Sequence, residues 1–463
     1  MDNGSSLVPR TDLAPEPSST GTSVARLGHI SDLHVMDAAS PMRFEWIETM
    51  AHDPRWRPLL HMHRPQETLV PWALAQHVEE LRVEGGLDLL VSTGDNIDNA
   101  QRNELDVYLG LLAGGTISMS ATGSAQDAGD GPFERPWPYW CPRADVDDTW
   151  KQRGFPVIDD LLARTAEPIR SLGSGGPWTS LPGNHDLLCQ GTSIVNDHLH
   201  RLAIGDRKAL FAPHGFEPEE VLSRFVDEPE TFVGIGDRRL HADPRRRPID
   251  LDEWVAAHLA AGARGWDGTS PTGRADTAVD LDAVLLVLLD TNHPAADYQG
   301  SIGRVQIEWL DEQLTRADAD KRLVVLASHH GPDSLVNDRG GDPERLLAAP
   351  LLDAVHRHPS VVLWLTGHRH IHRITPRPGA SGGFWEITTA SIIDWPSERR
   401  TIELRCHDDG TVEIASTLAA HRAGEDSLAW WHQDIARRFG GSQVRQAMAG
   451  TDLDRDVRLF VSR

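Results

Sequence analysis

The chain has 463 residues, of which 39% are hydrophobic and 25% charged, enough for one large core or two smaller ones. A formal net charge of -24 excludes a nucleic-acid backbone or an anionic membrane surface as the default partner, because such binders carry clustered Lys and Arg. Cys141, Cys189 and Cys406 lie too far apart for a zinc-type pair or a disulfide framework. The sequence also has neither a run of about 18 apolar residues nor a secretory leader pattern, so a reducing, cytoplasmic setting is expected.

In chain order, residues 1–24 are rich in Ser, Pro, Asp and Thr and are expected to form a disordered tail, within which residues 5–10 resemble a protease-site linker. Order is expected to begin with a strand over 25–30 that ends in Ser31-Asp32-Leu33-His34. Polar side chains two apart at a strand end point to the same side, so Asp32 and His34 can meet at one point. Apolar residues at three- and four-residue spacing predict a helix over 66–83, and a buried strand over 87–92 leads into Thr93-Gly94-Asp95-Asn96-Ile97-Asp98. Strand, helix and strand with polar strand ends is an α/β pattern.

Regular patterning then weakens over 113–176, where Gly, Ser and Pro surround the aromatic run Pro136-Trp137-Pro138-Tyr139-Trp140, and a lid or a packed surface insertion is expected. A second insertion covers 192–277, and its basic run Arg245-Arg246-Arg247 reads as a solvated turn. Between the insertions stands Leu181-Pro182-Gly183-Asn184-His185-Asp186. Alternation resumes with strands over 283–289, 322–327 and 360–365 and helices over 304–314 and 343–357. The strands end in Asp290-Thr291-Asn292-His293, Ser328-His329-His330 and Thr366-Gly367-His368-Arg369-His370. Antiparallel strands follow up to about residue 418. Residues 421–463 are expected to pack on the domain as a helical extension, with a helix over 428–439.

The polar strand ends contain only Asp, Asn and His in quantity, the mixed oxygen and nitrogen donors that divalent transition metals accept. Their number exceeds what one ion needs, and a pair of ions sharing a carboxylate accommodates them. In this respect the chain resembles the calcineurin-like metallophosphoesterase superfamily. It carries that family's ordered blocks as Asp32-Leu33-His34, Gly94-Asp95-Asn96-Ile97-Asp98, Gly183-Asn184-His185-Asp186, His329-His330 and Gly367-His368-Arg369-His370.

The resemblance implies an α/β fold in which two mixed β-sheets pack as a sandwich flanked by helices, with a catalytic domain over 25–420 and both insertions outside the matched blocks. It implies one metal on Asp32, His34 and His370, a second on Asn184, His329 and His368, and Asp95 bridging them. Either His329 or His330 could coordinate; the family's usage favours His329 and leaves His330 behind it. His185 is implied as an uncoordinated proton donor and substrate contact, with Asp186 holding its ring. Asp98 is expected to support a ligand histidine or to cap a helix, and Asn96 to bond a phosphate oxygen or to serve only its turn. The implied reaction is hydrolysis of a small phosphomonoester or phosphodiester, a cyclic nucleotide among the candidates, by a hydroxide bridging two Mn, Fe or Zn ions. Neither nucleic acid nor a membrane is expected as a partner, and oligomeric state is not legible. The alternatives are a noncatalytic metal-binding scaffold and a nuclease of the same superfamily.

Overall fold

A computed structural model describes residues 7–130, 136–213, 215–234, 237–267, 271–380 and 382–463. Two sheets carry the architecture. In the seven-stranded sheet the order is Val8–Leu13, Val457–Ser462, Thr411–Ala420, Glu398–Cys406, Thr22–Ile30, Leu89–Ser92 and Trp178–Ser180. The six-stranded sheet runs Arg373–Arg377, Phe384–Thr388, Val361–Thr366, Leu323–Ser328, Val284–Leu289 and Thr277–Leu281. Both mix parallel and antiparallel pairs.

Alternation along the strands explains the layers, since successive side chains leave opposite faces. In Val284–Leu289, Leu286 and Leu288 meet Leu27, Val91 and Ile402 of the other sheet, while Leu285, Val287 and Leu289 face Leu310, Leu314 and Leu351. Those last residues belong to helices Arg304–Ala319 and Ala348–His356, which cover the outer face of the six-stranded sheet. Helices Val70–Glu84, Arg102–Ala113 and Leu251–Ala260 cover the outer face of the seven-stranded sheet through Leu74, Leu105 and Trp254. Strands buried on both faces read as continuous apolar runs, as Val284–Leu289 and Leu323–Ser328 do.

Three expectations are corrected. The tail is not disordered over residues 8–13, which form an edge strand parallel to Val457–Ser462. Arg10 anchors it by donating to the Ile374 carbonyl at 2.8 Å, with its guanidinium 4.7 Å from the Trp385 ring centre. Residues 1–6, including the start of the linker-like segment, lie outside the described residues. The C-terminal extension is not only helical: after Leu428–Phe439 and Ser442–Ala449 it returns as Val457–Ser462, which buries Val457, Leu459 and Val461 in the sandwich. The basic run is only partly solvated, because Arg246 is buried with its Nε 2.7 Å from Asp37.

The first insertion is a packed patch in its aromatic part. Trp140, Trp150 and Phe155 pack on Leu428 and Ile435 of the C-terminal helix, and Trp137 Nε1 donates to the Ala125 carbonyl at 2.7 Å. The second insertion supplies Val221, Phe225 and Phe232, which close over Met42, Phe44 and Trp46. No helix among the described residues is long and apolar enough to cross a membrane.

Candidate metal centre

The carboxyl ends of Thr22–Ile30, Leu89–Ser92, Trp178–Ser180, Leu323–Ser328 and Val361–Thr366 lead directly into the polar motifs. Asp32, His34, Asp95, His368 and His370 all take left-handed backbone angles, with φ between 50° and 68°. Such angles cost about 1–3 kcal/mol each and persist only where the surroundings over-determine them. Here cross-strand hydrogen bonds do so: Asp32 N donates to Gly94 O at 3.0 Å, His34 N to Asp95 O at 2.8 Å, and His368 N to the Asp32 carboxylate at 3.0 Å. Gly94 is required by contact as well as by its φ of 95°, since a Cβ there would stand 2.6 Å from Gly183 N and 2.8 Å from His329 Nδ1.

Two groups of donors converge. His34 directs Nδ1 to Asp98 Oδ1 at 2.9 Å, and His370 directs Nδ1 to Asp394 Oδ2 at 2.6 Å. With those protons committed to carboxylates, both Nε2 atoms present lone pairs, yet they face each other at 3.3 Å, with Asp32 Oδ1 3.3 Å from His370 Nε2. In the second group His329 donates Nδ1–H to Thr93 O at 2.8 Å, and Asn184 donates its amide to Gly191 O at 3.0 Å. His329 Nε2 and Asn184 Oδ1 are thereby left as acceptors 3.0 Å apart, with Asp95 Oδ2 3.2 Å from the imidazole. The same Asp95 oxygen is 3.7 Å from His34 Nε2, so this carboxylate stands between the groups.

Acceptors crowded against acceptors repel unless a cation lies among them, and the donor set of carboxylate, imidazole and amide suits a transition metal. The electrostatics carry the same mismatch. Burial opposes charge on His329, yet Asp95 pushes it up to about 9; Asp32 does the same to His370, also to about 9. Burial holds His34 at about 4 and His368 at about 3, assisted by the neighbouring histidines.

The remaining site residues fall into place around these groups. His330 turns both nitrogens to protein groups, Nδ1 to Thr291 Oγ1 and Nε2 to Tyr298 O, each at 2.9 Å. His329 is therefore the histidine of the pair whose free nitrogen faces the centre. His368 packs its ring 5.1 Å from that of His329 and 4.4 Å from that of His330. Asp98 meets three partners: His34, His185 Nδ1 at 3.0 Å and Arg43 Nη1 at 2.6 Å.

The expectation that Asp186 holds the His185 ring is corrected. Its carboxylate turns inward to accept from Gly183 N at 2.8 Å, Asn96 N at 3.1 Å and Ile97 N at 3.3 Å, because that tight turn needs its amides satisfied. Asp98 takes the ring instead, while His185 Nε2 has no partner among the described residues. Asn96 is likewise not a substrate contact. It is fully buried, donating to Leu181 O and Asp186 while accepting from Ser92 Oγ at 2.6 Å, so its amide is consumed in bracing the turn. Asn292 braces the same turn through Pro182 O at 3.1 Å.

Sequence reasoning missed Asp394, Arg64, Arg43, Glu45 and Glu67. Asp394 orients His370 and is itself held by Arg64 Nε at 2.9 Å and by Gln66. Arg43, with 1% of its side chain exposed, reaches Glu45, Glu67 and Asp98 together. Asp394 lies in the bend Ile392-Ile393-Asp394-Trp395, past the strand Phe384–Thr388, a weak signal in isolation, and the others belong to no local pattern.

The profile of the calcineurin-like phosphoesterase family matches residues 25–372. The chain belongs to this family of metallophosphoesterases, and the blocks that define it are the ones that build the converging donors above. Among similar proteins, a probable cyclic nucleotide phosphodiesterase of Synechococcus sp. (strain WH7803) is 37% identical over 87 residues, 19% of this chain and 32% of that one. A manganese-dependent ADP-ribose/CDP-alcohol diphosphatase of Xenopus tropicalis is 29% identical over 152 residues, 29% of this chain and 42% of that one. The chain thus spans 32% to 42% of the length of these curated relatives. A dimetal phosphatase from Danio rerio overlays 86% of this chain and all of its own at 15% identity, with a TM-score of 0.39, too low to carry an argument.

Proposed function

We propose that the chain is a phosphate-ester hydrolase working with two transition-metal ions on a small phosphomonoester or phosphodiester of nucleotide type. The observation that carries this reading is the convergence of lone pairs: His34, His370 and Asp32 in one group, His329, Asn184 and Asp95 in the other, each with its remaining polar atoms committed elsewhere. Asp32, His34, Asp95 and His370 would hold one ion, and Asp95, Asn184, His329 and His368 the other. Manganese, iron and zinc all accept these donors. Bound there, such ions supply Lewis-acid charge to a phosphoryl oxygen and acidify water.

The chain's own contribution to the chemistry centres on His185. Its Nδ1 is fixed on Asp98, and its backbone N–H donates to Asp95 Oδ1 at 2.8 Å, which ties the ring to the shared carboxylate. The free Nε2 is the atom from which a proton passes to the leaving oxygen. Burial lowers the basicity of this ring, but Asp95 and Asp98 together outweigh it, favouring the protonated form that a general acid needs. A noncatalytic scaffold has no use for such an imidazole, and a nuclease fits poorly with the net charge of -24. The names of the two partial relatives support nucleotide phosphate esters as the class to test first.

The test is elemental analysis of the purified protein together with hydrolysis of aryl phosphate monoesters and diesters after loading with Mn, Fe or Zn. Two ions per chain with no hydrolysis of any ester would favour the scaffold. A steep salt dependence of DNA binding would favour the nuclease.

A further inference from the structure

Beside His370 stands a cation that is only half used. Arg64 directs Nε to both oxygens of Asp394, at 2.9 and 3.2 Å, and Asp394 in turn takes the Nδ1 proton of His370 at 2.6 Å. Gln66 donates to the same carboxylate at 3.1 Å, which fixes where the arginine must sit. The opposite edge of the guanidinium, Nη1 and Nη2, has no partner among the described residues, and 14% of the side chain remains exposed. A planar guanidinium with one edge pinned offers its other edge as a rigid fork, matched in spacing to two oxygens of a phosphate or a carboxylate. Asp394 takes only the Nε side of this charge, so the Nη donors keep their hydrogen-bonding capacity for a second anion one side chain away from His370.

Resting on the reading of the site as a phosphate-ester hydrolase, we infer that the Nη edge of Arg64 binds a second anionic group next to the phosphate being cleaved. The preferred substrate is then a diphosphate ester and not a single-phosphate ester. Asp394 has two tasks in this arrangement. It orients His370 on one side, and on the other it holds the fork, so that the second group is read at a fixed distance from the cleaved one. A cyclic nucleotide, with one phosphate, leaves the fork unused.

The experiment compares the metal-loaded wild type with Arg64→Gln and Arg64→Lys. Calorimetry reads the affinity for AMP and for α,β-methylene-ADP, and kinetics read kcat/KM for a nucleoside diphosphate ester against bis(4-nitrophenyl) phosphate. The inference expects wild type to prefer the diphosphate in both measurements, and both substitutions to lower that preference at least tenfold, mainly through KM. Equal losses for both ligands would mean that Arg64 only positions Asp394 and His370, and would overturn the inference. So would a wild type that prefers the single phosphate or binds neither nucleotide. If Arg64→Gln fails to fold, Arg64→Lys keeps a charge against Asp394 while losing the fork and gives the same reading. Phosphonoacetate, run alongside, tells whether the second group is a phosphate or a carboxylate: a fork-specific loss for α,β-methylene-ADP supports the inference, and one confined to phosphonoacetate would overturn the diphosphate preference. Failure of the hydrolase reading itself appears differently, as absence of turnover of every ester by wild type.

Discussion

Replacing Asp98 with Asn tests the centre without removing any donor from it. Asp98 Oδ1 is shared by His34 at 2.9 Å and His185 at 3.0 Å, and Oδ2 takes Arg43 at 2.6 Å. Hydrogen bonds to an ionised group contribute about 1.5–3 kcal/mol and neutral ones about 0.5–1.5, so the amide forfeits about 1–1.5 kcal/mol at each imidazole. One such loss is about tenfold in rate or metal affinity and two about 100-fold, the range expected for a group that orients a ligand histidine. Stability should change far less. Glu45, Glu67 and Asp98 face Arg43 and Lys208, and His63 lies 3.6 Å from Glu67, where a proton can be released to restore the balance. Arg43→Met, in contrast, removes the one permanent cation shared by three buried carboxylates and should cost about 3–5 kcal/mol. Turnover of an aryl phosphate ester, metal content and thermal midpoint separate the two variants. Wild-type turnover and metal affinity in Asp98→Asn, or a midpoint as depressed as that of Arg43→Met, would refute the reasoning.

Other outcomes follow from the same geometry. Asp95→Asn removes the charge shared by both donor groups, and elemental analysis should find neither ion tightly held; full occupancy would contradict the assignment. His185→Ala should keep both ions but lose rate mainly with poor leaving groups, and an equal loss with an activated aryl ester would argue against proton donation. Burial holds His258 and His432 neutral, with folded-state pKa values of about 3 against 6.5 unfolded. Their contribution to stability is complete above pH 6.5 and is lost as pH falls from there toward 3, by about 1.4 kcal/mol for each histidine at pH 5.5. Urea midpoints at pH 7.5 and 5.5 measure this, and His258→Gln should flatten the dependence.

Much of the centre was legible because metal chemistry restricts residue types and strand ends restrict spacing. Asp32 with His34, and His368 with His370, sit two apart for the same reason, and the structure brings Asp32, His34 and His370 into one group while His368 joins His329 and His330 in the neighbouring one. The two sheets were implied by resemblance, while runs such as 284–289 already read as strands buried on both faces. Less legible was the use of polar side chains inside a turn. Asp186 and Asn96 look like chemistry in the sequence, but unsatisfied amides in a sharp, buried turn claimed both. Residues 8–13 and 457–462 read as tail and extension because neither has a partner until the other arrives, 448 or 449 residues away by register.

The sequence by itself determined the family, the set of donor residues and the strand ends that carry them, since those depend on local spacing and on which side chains bind metals. The tertiary structure alone decided which carboxylate serves which histidine. Asp98 at His34 and His185, Asp394 at His370, and Arg64 and Arg43 behind them are joined across as many as 330 residues. Such pairings leave no periodicity behind, because the only constraint on them is that a buried polar atom must find a partner somewhere in the folded chain.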